Sequence, residues 1–478
     1  MKSLRALFAL SLLLNTAICW ATVKAAPALN QKITHMIKAN LPDATVGVTV
    51  QDAQTGEIIY DYHGSHHFLP ASTTKLFTAA AALKSLGPDY RFETGLYYNP
   101  QAIHQTAYQG DVALKFSGDP SFQLASLYSL LQRLSDAHVK KITGNFIIDD
   151  SIFTGPLWAL GWTWDSTPWH HAAPVAAIII DRNQFGVTLI PTPKVGGKVG
   201  AKLDQGYPGS KFRTMVADVR AVTYEDSETM CQITAVVDEK NNLELGGCWP
   251  IGTEPVHLRL AIKNPRLQAV QLINEALQKL DIQLSGKITF AAVPTNMVKL
   301  AHHSSEPLSV LLKPILAESN NLYAESLTKT LGAHLYGVGS FKTGSAAVQK
   351  VLTDVTGIDF SDARLLDGSG ESRYNLLTPR HLARLLFVMR GEKNVAGHFR
   401  NALAISGMNG SLQNRFTKMH QVQAKTGSLS GVSTLAGYFT TSKKRELIVA
   451  IMINQAIESN VLLKHFEDEL CYYLMEQL

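Results

Sequence analysis

Ser72 and Lys75 open an Ala-rich stretch, and they constrain the fold of this chain more than any other pair of residues. The run 68–83 is typical of a turn that leads into a helix. Positions three apart on a helix share one face, so the hydroxyl and the amine can meet, and a neutral amine can take the hydroxyl proton. The free N–H groups and the dipole of a helix start also suit a developing oxyanion. By itself, the pair favours a helix cap followed by a solvated lysine.

Two later motifs favour the catalytic interpretation. Ser319–Asn321 lies within the stretch 311–327, and Lys425–Gly427 is followed by two apolar runs, 428–439 and 447–453, with a polar turn between them. These runs predict a hairpin in a buried sheet. Gly427 leaves the edge of its strand bare, so a substrate backbone can pair beside it.

The chain contains a second Lys-Thr-Gly, at 342–344. It precedes the stretch 345–355, which has helical spacing, and no strand pattern follows it. We therefore interpret this copy as a loop and helix start, and Lys425 as the functional lysine.

Ser-x-x-Lys, Ser-x-Asn and Lys-Thr-Gly in this order are the signature of penicillin-binding proteins and serine β-lactamases. The chain resembles the low-molecular-mass class C penicillin-binding proteins, the D-Ala-D-Ala carboxypeptidase/endopeptidase family, over nearly the whole mature sequence. The gap between Lys75 and Ser319 is much longer than in β-lactamases. Asp367–Arg373 matches the family segment Asp-Gly-Ser-Gly-x-Ser-Arg, and 162–177 resembles its Trp- and Asp-containing stretch that ends in Ala-Pro-Val-Ser-Ala. The chain departs at Glu371, where the family has an apolar residue, and at Ala176, where it often has Ser.

This resemblance implies an α/β (α+β) fold of the penicillin-binding and serine β-lactamase type, with an antiparallel sheet flanked by helices and two inserted β-rich domains. A chain of 478 residues exceeds one ordinary core. A helix pattern at 28–40, strand patterns at 46–50 and 57–61, and a terminal helix at 460–476 indicate that both chain ends build one sheet. The predicted ranges are 1–25 for a signal peptide, 26–94 and 297–478 for the peptidase domain, 95–183 and 257–296 for inserted domain II, and 184–256 for nested domain III.

Residues 1–25 have the pattern of a secretory signal peptide. A basic start, 1–5, precedes an apolar core, 6–14, and small residues occupy Val23 and Ala25 before the cleavage site. The core is shorter than the roughly 18–20 residues of a membrane span, and the residue before Cys19 does not fit a lipoprotein motif. We expect secretion across the inner membrane into the periplasm of a Gram-negative bacterium.

The net charge of +5 gives little support for nucleic-acid binding. Lys2, Arg5 and Lys24 lie in the signal peptide, and their removal leaves +2. We expect peptidoglycan stem peptides as substrates, β-lactams as inhibitors, and at most peripheral membrane association, and we leave a homodimer open.

The cysteines predict one disulfide. Cys231 and Cys248 lie in neighbouring strand-like runs and can bridge in an oxidising compartment, the alternative being two buried free thiols. Cys471 has no obvious partner and lies in the amphipathic terminal helix. No metal and no cofactor is predicted, since no Cys spacing suggests zinc and the paired histidines read as surface or loop residues: 66–67, 170–171 and 302–303.

The motifs predict acyl transfer through a covalent acyl-enzyme. Ser72 attacks the carbonyl of the D-Ala-D-Ala bond, and Lys75 is the base, provided that burial and the like charge of Lys425 lower its pKa. Ser319 relays a proton to the leaving amine. Asn321 orients the Lys75 amine and the substrate amide.

Substrate binding is assigned to the third motif and to two positions from the resemblance. Lys425, Thr426 and Ser428, beside Gly427, bind the terminal carboxylate, and the N–H groups of Ser72 and Ser428 form the oxyanion hole.

In the family, an acid and an arginine bind the side chain of a diaminopimelate residue. The matching positions here are Asp165 and Arg373, whose charges complement the ammonium and the carboxylate of that side chain. The alternatives are a turn or cap role for Asp165 and an internal ion pair for Arg373.

The sequence thus predicts a serine-type D-Ala-D-Ala carboxypeptidase/endopeptidase. One alternative is a serine β-lactamase, which shares the three motifs but not the long insertion. The other is a non-catalytic peptidoglycan-binding or antibiotic-sensing module, which would be expected to carry a damaged motif.

Overall fold

The computed structural model describes residues 27–104, 106–229, 231–417 and 422–478. The predicted signal peptide therefore lies outside the described residues. Within them, no helix is long and apolar enough to cross a bilayer. The helices are α1 Pro27–Asn40, α2 Lys75–Ser85, α3 Leu124–Asp136, α4 Tyr224–Thr229, α5 Pro265–Lys279, α6 Leu308–Leu316, α7 Asn321–Tyr336, α8 Phe341–Thr356, α9 Pro379–Gly391, α10 Ala396–Asn401 and α11 Asn460–Gln477.

Both ends of the chain build one antiparallel sheet, as the sequence predicts. Its six strands run in the order β2-β1-β6-β5-β4-β3. They are β1 Thr45–Asp52, β2 Ile58–Tyr62, β3 Ala404–Ile405, β4 Val422–Leu429, β5 Val432–Thr440 and β6 Glu446–Asn454.

The prediction of a single hairpin after Lys425 was wrong in one respect. The run that begins at Lys425 is two strands, β4 and β5, joined by a tight turn at Ser430 and Gly431. Gly431 adopts a φ of 72°, which glycine tolerates without steric cost. The three strands β4, β5 and β6 therefore form a meander, and Lys425 lies within the first of them.

The sheet is buried on both faces, which explains the unbroken apolar run of β6. Ile448, Ala450 and Met452 pack under α2, α6, α7, α8 and α9, while Val449 and Ile451 pack under α1 and α11. Alternate side chains of a strand point to opposite faces, so a strand covered on both sides contains few polar residues. The predicted α1 and α11 are confirmed, and Cys471 is a buried free thiol of α11.

The strands between residues 93 and 304 form smaller sheets that are separate from the central one. One five-stranded sheet has the order Ile288–Phe290, Phe146–Asp149, Val112–Lys115, Glu93–Tyr98 and Val298–Ser304. A four-stranded sheet has the order Gln283–Leu284, Lys141–Ile142, Ala107–Tyr108 and Ile103–His104. Helices α3 and α5 bury their apolar faces here.

The predicted domain boundaries stay a prediction. Val298–Ser304, which the boundary at 297 gives to the peptidase domain, pairs with Glu93–Tyr98 in the five-stranded sheet.

A third group of short strands has its own apolar cluster. It comprises a sheet of Gly200–Leu203, Gln184–Ile190 and Val256–Ala261, a sheet of Met215–Ala217, Leu243–Gly246 and Thr234–Val237, and a pair of Arg220–Val222 and Cys248–Pro250. Cys231 and Cys248 form a disulfide here, so the predicted bridge is confirmed.

Candidate active site

Ser72 lies on a short 3-10 helix, Ala71–Thr74, that runs directly into α2. Ala71 has a φ of 46°, a left-handed conformation that is rare for a residue with a side chain. The turn is held by the Pro70 carbonyl, which accepts hydrogen bonds from Thr73 Oγ1 at 2.6 Å and from Thr434 Oγ1 of β5 at 2.9 Å. Packing against the sheet thus fixes a strained turn that presents the Ser72 hydroxyl.

Lys75 is fully buried, and its ammonium meets three oxygen atoms. Lys75 Nζ lies 2.8 Å from Ser72 Oγ, 2.6 Å from Asn321 Oδ1 and 2.7 Å from the carbonyl oxygen of Ser369. Asn321 is the first residue of α7, whose N-cap, Asn320, accepts a hydrogen bond from the Tyr323 N–H. The helix start therefore carries Asn321 into contact with the lysine.

Burial lowers the pKa of Lys75 to about 8, although the charges of Glu325, Glu371 and Asp367 act in the opposite direction. Desolvation disfavours the charged form of an amine, while nearby carboxylates favour it. A neutral Lys75 is thus accessible near neutral pH. A neutral amine at hydrogen-bond distance from a hydroxyl can remove its proton.

Lys425 and Ser319 form a second pair. Lys425 Nζ, fully buried, donates to Ser319 Oγ at 2.8 Å and to the carbonyl of Thr426 at 2.7 Å. Burial lowers the pKa of Lys425 well below its usual value, and the charge of Lys75 lowers it further. The sequence predicts that the charge of Lys425 lowers the pKa of Lys75. In the structure, it is the charge of Lys75 that lowers the pKa of Lys425. Ser319 adopts a φ of 62°, so this turn, too, is strained.

The third motif borders an open strand edge. Among the described residues, β3 pairs with Gln423 and Ala424 of β4, and the rest of β4 has a partner strand only on its β5 side. A side chain on Gly427 would lie 2.8 Å from Ser72 N, which explains why glycine is needed beside the Ser72 turn. The N–H groups of Ser72 and Ser428 therefore belong to facing segments, and Ser428 is exposed to solvent.

Glu325 and Ser411 are among the residues of the site that were not predicted from the sequence. Glu325 is fully buried, and its carboxylate accepts from the N–H groups of Gly368, at 3.1 and 3.0 Å, and Ser369, at 2.7 Å. Burial, then the charge of Asp367, raises the pKa of Glu325. Since Glu325 lies four positions after Asn321, helical spacing could have revealed it. Ser411, whose Oγ accepts from Thr426 Oγ1 at 2.8 Å, gives no signal in the sequence.

Asp367 connects the loop 367–373 to the segment around Trp162. Its carboxylate accepts from the N–H groups of Gly370, at 2.9 Å, and Ser372, at 2.6 Å, and from Trp162 Nε1, at 2.8 Å. The peptide N–H of Arg373 donates to the carbonyl of Gly161 at 3.1 Å. The loop 367–373 and the segment around Trp162 are therefore held together by hydrogen bonds.

Asp165 and Arg373 both belong to this contact region. Asp165 is exposed, next to Trp164, which is 83% exposed, and the described residues offer its carboxylate no hydrogen bond or ion pair. Arg373 is half-buried, and its two terminal nitrogens lie 3.4 Å from the carbonyl of Ser430, in the β4–β5 turn. The alternative interpretation required an internal ion pair for Arg373. In the described part of the chain, Arg373 has none.

Direct hydrogen bonds join Lys75 to Ser72 and Asn321, and Lys425 to Ser319. The two groups are neighbours, since the charge of Lys75 acts on Lys425. The other Lys-Thr-Gly forms the first turn of α8, with Ser340 as its N-cap and Lys342 exposed. The interpretation of 342–344 as a helix start is confirmed.

Comparison with known proteins identifies relatives over most of the chain. The D-Ala-D-Ala carboxypeptidase 3 (S13) family matches residues 29–473. The D-alanyl-D-alanine carboxypeptidase DacB of Haemophilus influenzae is 33% identical over 423 residues, which cover 87% of this chain and 86% of that protein.

Solved structures agree with this match. The crystal structure of penicillin binding protein 4 (dacB) from Haemophilus influenzae has a TM-score of 0.82 at 31% identity, covering 93% of this chain and 99% of that one. A structure of the same protein complexed with a novel β-lactam has a TM-score of 0.79 at 30% identity, with the same coverage. The predicted fold and the predicted enzyme class, a serine-type hydrolase of D-Ala-D-Ala, are confirmed. The chain belongs to the D-Ala-D-Ala carboxypeptidase 3 (S13) family.

Proposed function

We propose that the enzyme is a periplasmic D-Ala-D-Ala carboxypeptidase and endopeptidase that acts on peptidoglycan stem peptides and cross-links through an acyl-enzyme on Ser72. The observation that carries this proposal is the distance of 2.8 Å between Lys75 Nζ and Ser72 Oγ, with the amine buried and its pKa lowered to about 8. Such a pair joins a nucleophile to a base that is in reach of its proton.

Acylation follows from this arrangement. Neutral Lys75 takes the Ser72 proton as Oγ bonds to the carbonyl carbon of the penultimate D-Ala, and the N–H groups of Ser72 and Ser428 receive the oxyanion. Collapse breaks the peptide bond. The proton that Lys75 took passes through the Ser319 hydroxyl, which lies 2.8 Å from Lys425 Nζ, to the leaving amine, and Lys75 is neutral again. Water then attacks the ester while Lys75 takes its proton. Lys75 returns that proton to Ser72 Oγ as the ester bond breaks and the peptide leaves with a new carboxyl end.

Substrate binding is proposed along the open edge of β4. An extended peptide can pair with this edge as an added strand. Lys425, Thr426 and Ser428 surround the end of such a strand and would bind the terminal carboxylate. A carboxylate beside Lys425 would raise the pKa of its amine, since an opposite charge favours the charged form.

The specificity for diaminopimelate is assigned to Asp165 and Arg373. The free carboxylate of Asp165 suits the side-chain ammonium, and the guanidinium of Arg373, at the β4–β5 turn, suits the side-chain carboxylate. In a cross-link, the diaminopimelate side-chain amine of the acceptor stem peptide is bonded to a second stem peptide. Cleavage of that bond would be the endopeptidase activity.

We further propose that β-lactams acylate Ser72. A related structure was solved as a complex with a β-lactam, and the strained amide of such a ring presents a carbonyl and a carboxylate as D-Ala-D-Ala does. The competing function, a β-lactamase, requires rapid hydrolysis of the same acyl-enzyme.

One experiment tests the acyl-enzyme and separates it from the competing function. We would expose the protein to a fluorescent penicillin, measure its intact mass, and map the labelled peptide, with Ser72→Ala as the control. We expect one adduct on Ser72, none in Ser72→Ala, and an adduct that persists for minutes or longer. A label on Ser319 would contradict the assignment, and loss of the adduct in under a second would favour a β-lactamase.

A further inference from the structure

Glu371 occupies a position beside the catalytic pair that the proposed mechanism does not use. Its side chain is only 14% exposed, although it carries a carboxyl group. Glu371 Oε2 accepts a hydrogen bond from Asn321 Nδ2 at 3.1 Å, and Oε1 lies 4.0 Å from His171 Nε2. A buried carboxylate is costly unless it is hydrogen-bonded or paired, so these contacts are what makes it tolerable there.

The contact fixes the orientation of the Asn321 amide. Asn321 Nδ2 donates to Glu371 and also to the carbonyl of His171, at 2.9 Å, so both of its N–H groups are used. An asparagine amide has two orientations that differ in which atom faces each neighbour. With Nδ2 held by two acceptors, Oδ1 is the atom that faces Lys75, at 2.6 Å.

Glu371 also contributes charge to the surroundings of Lys75. The groups that face Glu371 are Lys75 from α2, His171 from the segment 170–172 and Asp367 from its own loop. Burial raises the pKa of Glu371, and the charges of His171 and Lys75 act against this rise.

Three carboxyl groups face Lys75: Glu325 from α7, and Glu371 and Asp367 from the loop. The charge of each of these carboxyl groups raises the pKa of Lys75. Lys425, whose own pKa is lowered by burial and by the charge of Lys75, faces Lys75 from β4.

We propose that Glu371 is a positioning residue for acylation: its carboxylate holds the Asn321 amide with the oxygen towards Lys75, and its charge stabilises the Lys75 ammonium. This inference rests on the proposed function, since it requires Lys75 to be the base for Ser72. It assigns a role to a residue at which this chain departs from the apolar residue usual in the family.

The two parts of this role are separable by substitution. Glu371→Gln keeps an oxygen acceptor for Asn321 Nδ2 and removes the charge, whereas Glu371→Leu removes both. Glu318→Gln is the matched control, because Glu318 is an exposed acid next to Ser319 that is outside the hydrogen-bonded site.

The experiment is the rate constant of acylation by a fluorescent penicillin as a function of pH, on the full-length protein. Removing a negative charge lowers the pKa of Lys75, so the pH at which acylation reaches half of its plateau should fall. We expect a fall of about half a pH unit or more in both Glu371 variants. We expect the plateau rate to drop about tenfold in Glu371→Leu, from loss of the hydrogen bond, and about twofold at most in Glu371→Gln. Glu318→Gln should match the wild type.

Each outcome has a distinct meaning. If the wild type is labelled at Ser72 but the midpoint is the same in both Glu371 variants, the charge has no role and the inference is overturned. Equal plateau losses in Glu371→Gln and Glu371→Leu would overturn the positioning part. Because Glu371→Gln is nearly isosteric, it remains informative if Glu371→Leu does not fold. A wild type that is labelled elsewhere than at Ser72 overturns the proposed function, and this inference with it.

Discussion

Lys425 Nζ lies 2.8 Å from Ser319 Oγ, although 106 positions separate the two residues in the sequence. The Lys425 amine comes from the middle of β4, and the Ser319 hydroxyl comes from the strained turn before α7. Together with Ser72 and Lys75 they enclose the end of the open strand edge. The contact implies that Lys425 has a role that Lys342, the lysine of the other Lys-Thr-Gly, cannot fill.

We predict that Lys425→Ala reduces acylation by penicillin at least about a hundredfold, by analogy with removal of a transition-state donor. Lys342→Ala should change the rate by less than twofold, because Lys342 is exposed on the first turn of α8. The second-order rate constant of labelling measures both. Equal losses in the two variants would mean that the wrong Lys-Thr-Gly has been assigned.

The acylation rate should fall on the acid side of pH 8. The pKa of Lys75 is about 8, lowered by burial, and only the neutral amine can take the Ser72 proton. Below this value the rate should decrease about tenfold per pH unit, and above it the rate should level off. A profile that is flat between pH 6 and 9 would exclude Lys75 as the base. Circular dichroism across the range controls for unfolding.

Asp165→Ala should lower kcat/KM for diaminopimelate peptides by about 30-fold or more, because truncating one partner of a charge pair costs roughly 2–5 kcal/mol. The rate of penicillin acylation should stay nearly constant, since penicillin need not occupy that subsite. Peptides with and without the free side-chain ends provide the comparison. Asp354→Ala, an exposed acid of α8, is the control. If penicillin and peptide reactions slow down together, Asp165 has a structural role.

Gly427→Ala should impair acylation through the backbone. The new methyl group would clash first with Thr434 Oγ1 of β5 and would lie 2.8 Å from Ser72 N and 2.9 Å from Ala71 Cβ, so the Thr434 side chain and the Ser72 turn or β4 must move. Displacements of about 1 Å at a reacting group cost on the order of a hundredfold in rate. Gly397→Ala is the control, because a methyl group there meets no atom within 4 Å and lies on α10. Activity of Gly427→Ala within twofold of wild type would contradict this account.

The contact between Ser72 and Lys75 is predictable from the sequence because residues three apart share one face of a helix. The apolar runs of β5 and β6 distinguish the functional Lys-Thr-Gly from the one on α8. The sequence does not predict the surroundings as well. Ser411 and the carbonyl of Ser369 reach the site from loops without periodicity. The β4–β5 turn was missed because Leu429 and Val432 flank only two turn residues. The order of the smaller sheets depends on pairings between distant segments, which local patterns do not contain.

The hydrogen bond from Thr434 Oγ1 to the carbonyl of Pro70 has a consequence for the timing of assembly. The turn that carries Ser72 is made early in synthesis, but its anchor belongs to a strand near the other end of the chain. The pairing of β1 with β6 is equally remote, and Thr45 Oγ1 donates to Gln455 across 410 positions. Contacts of such long range form late and slowly. A chain that is still being synthesised would therefore carry the Ser72 turn without the strand that anchors it, and hydrolytic activity would arise only after the last strands of the sheet have been made.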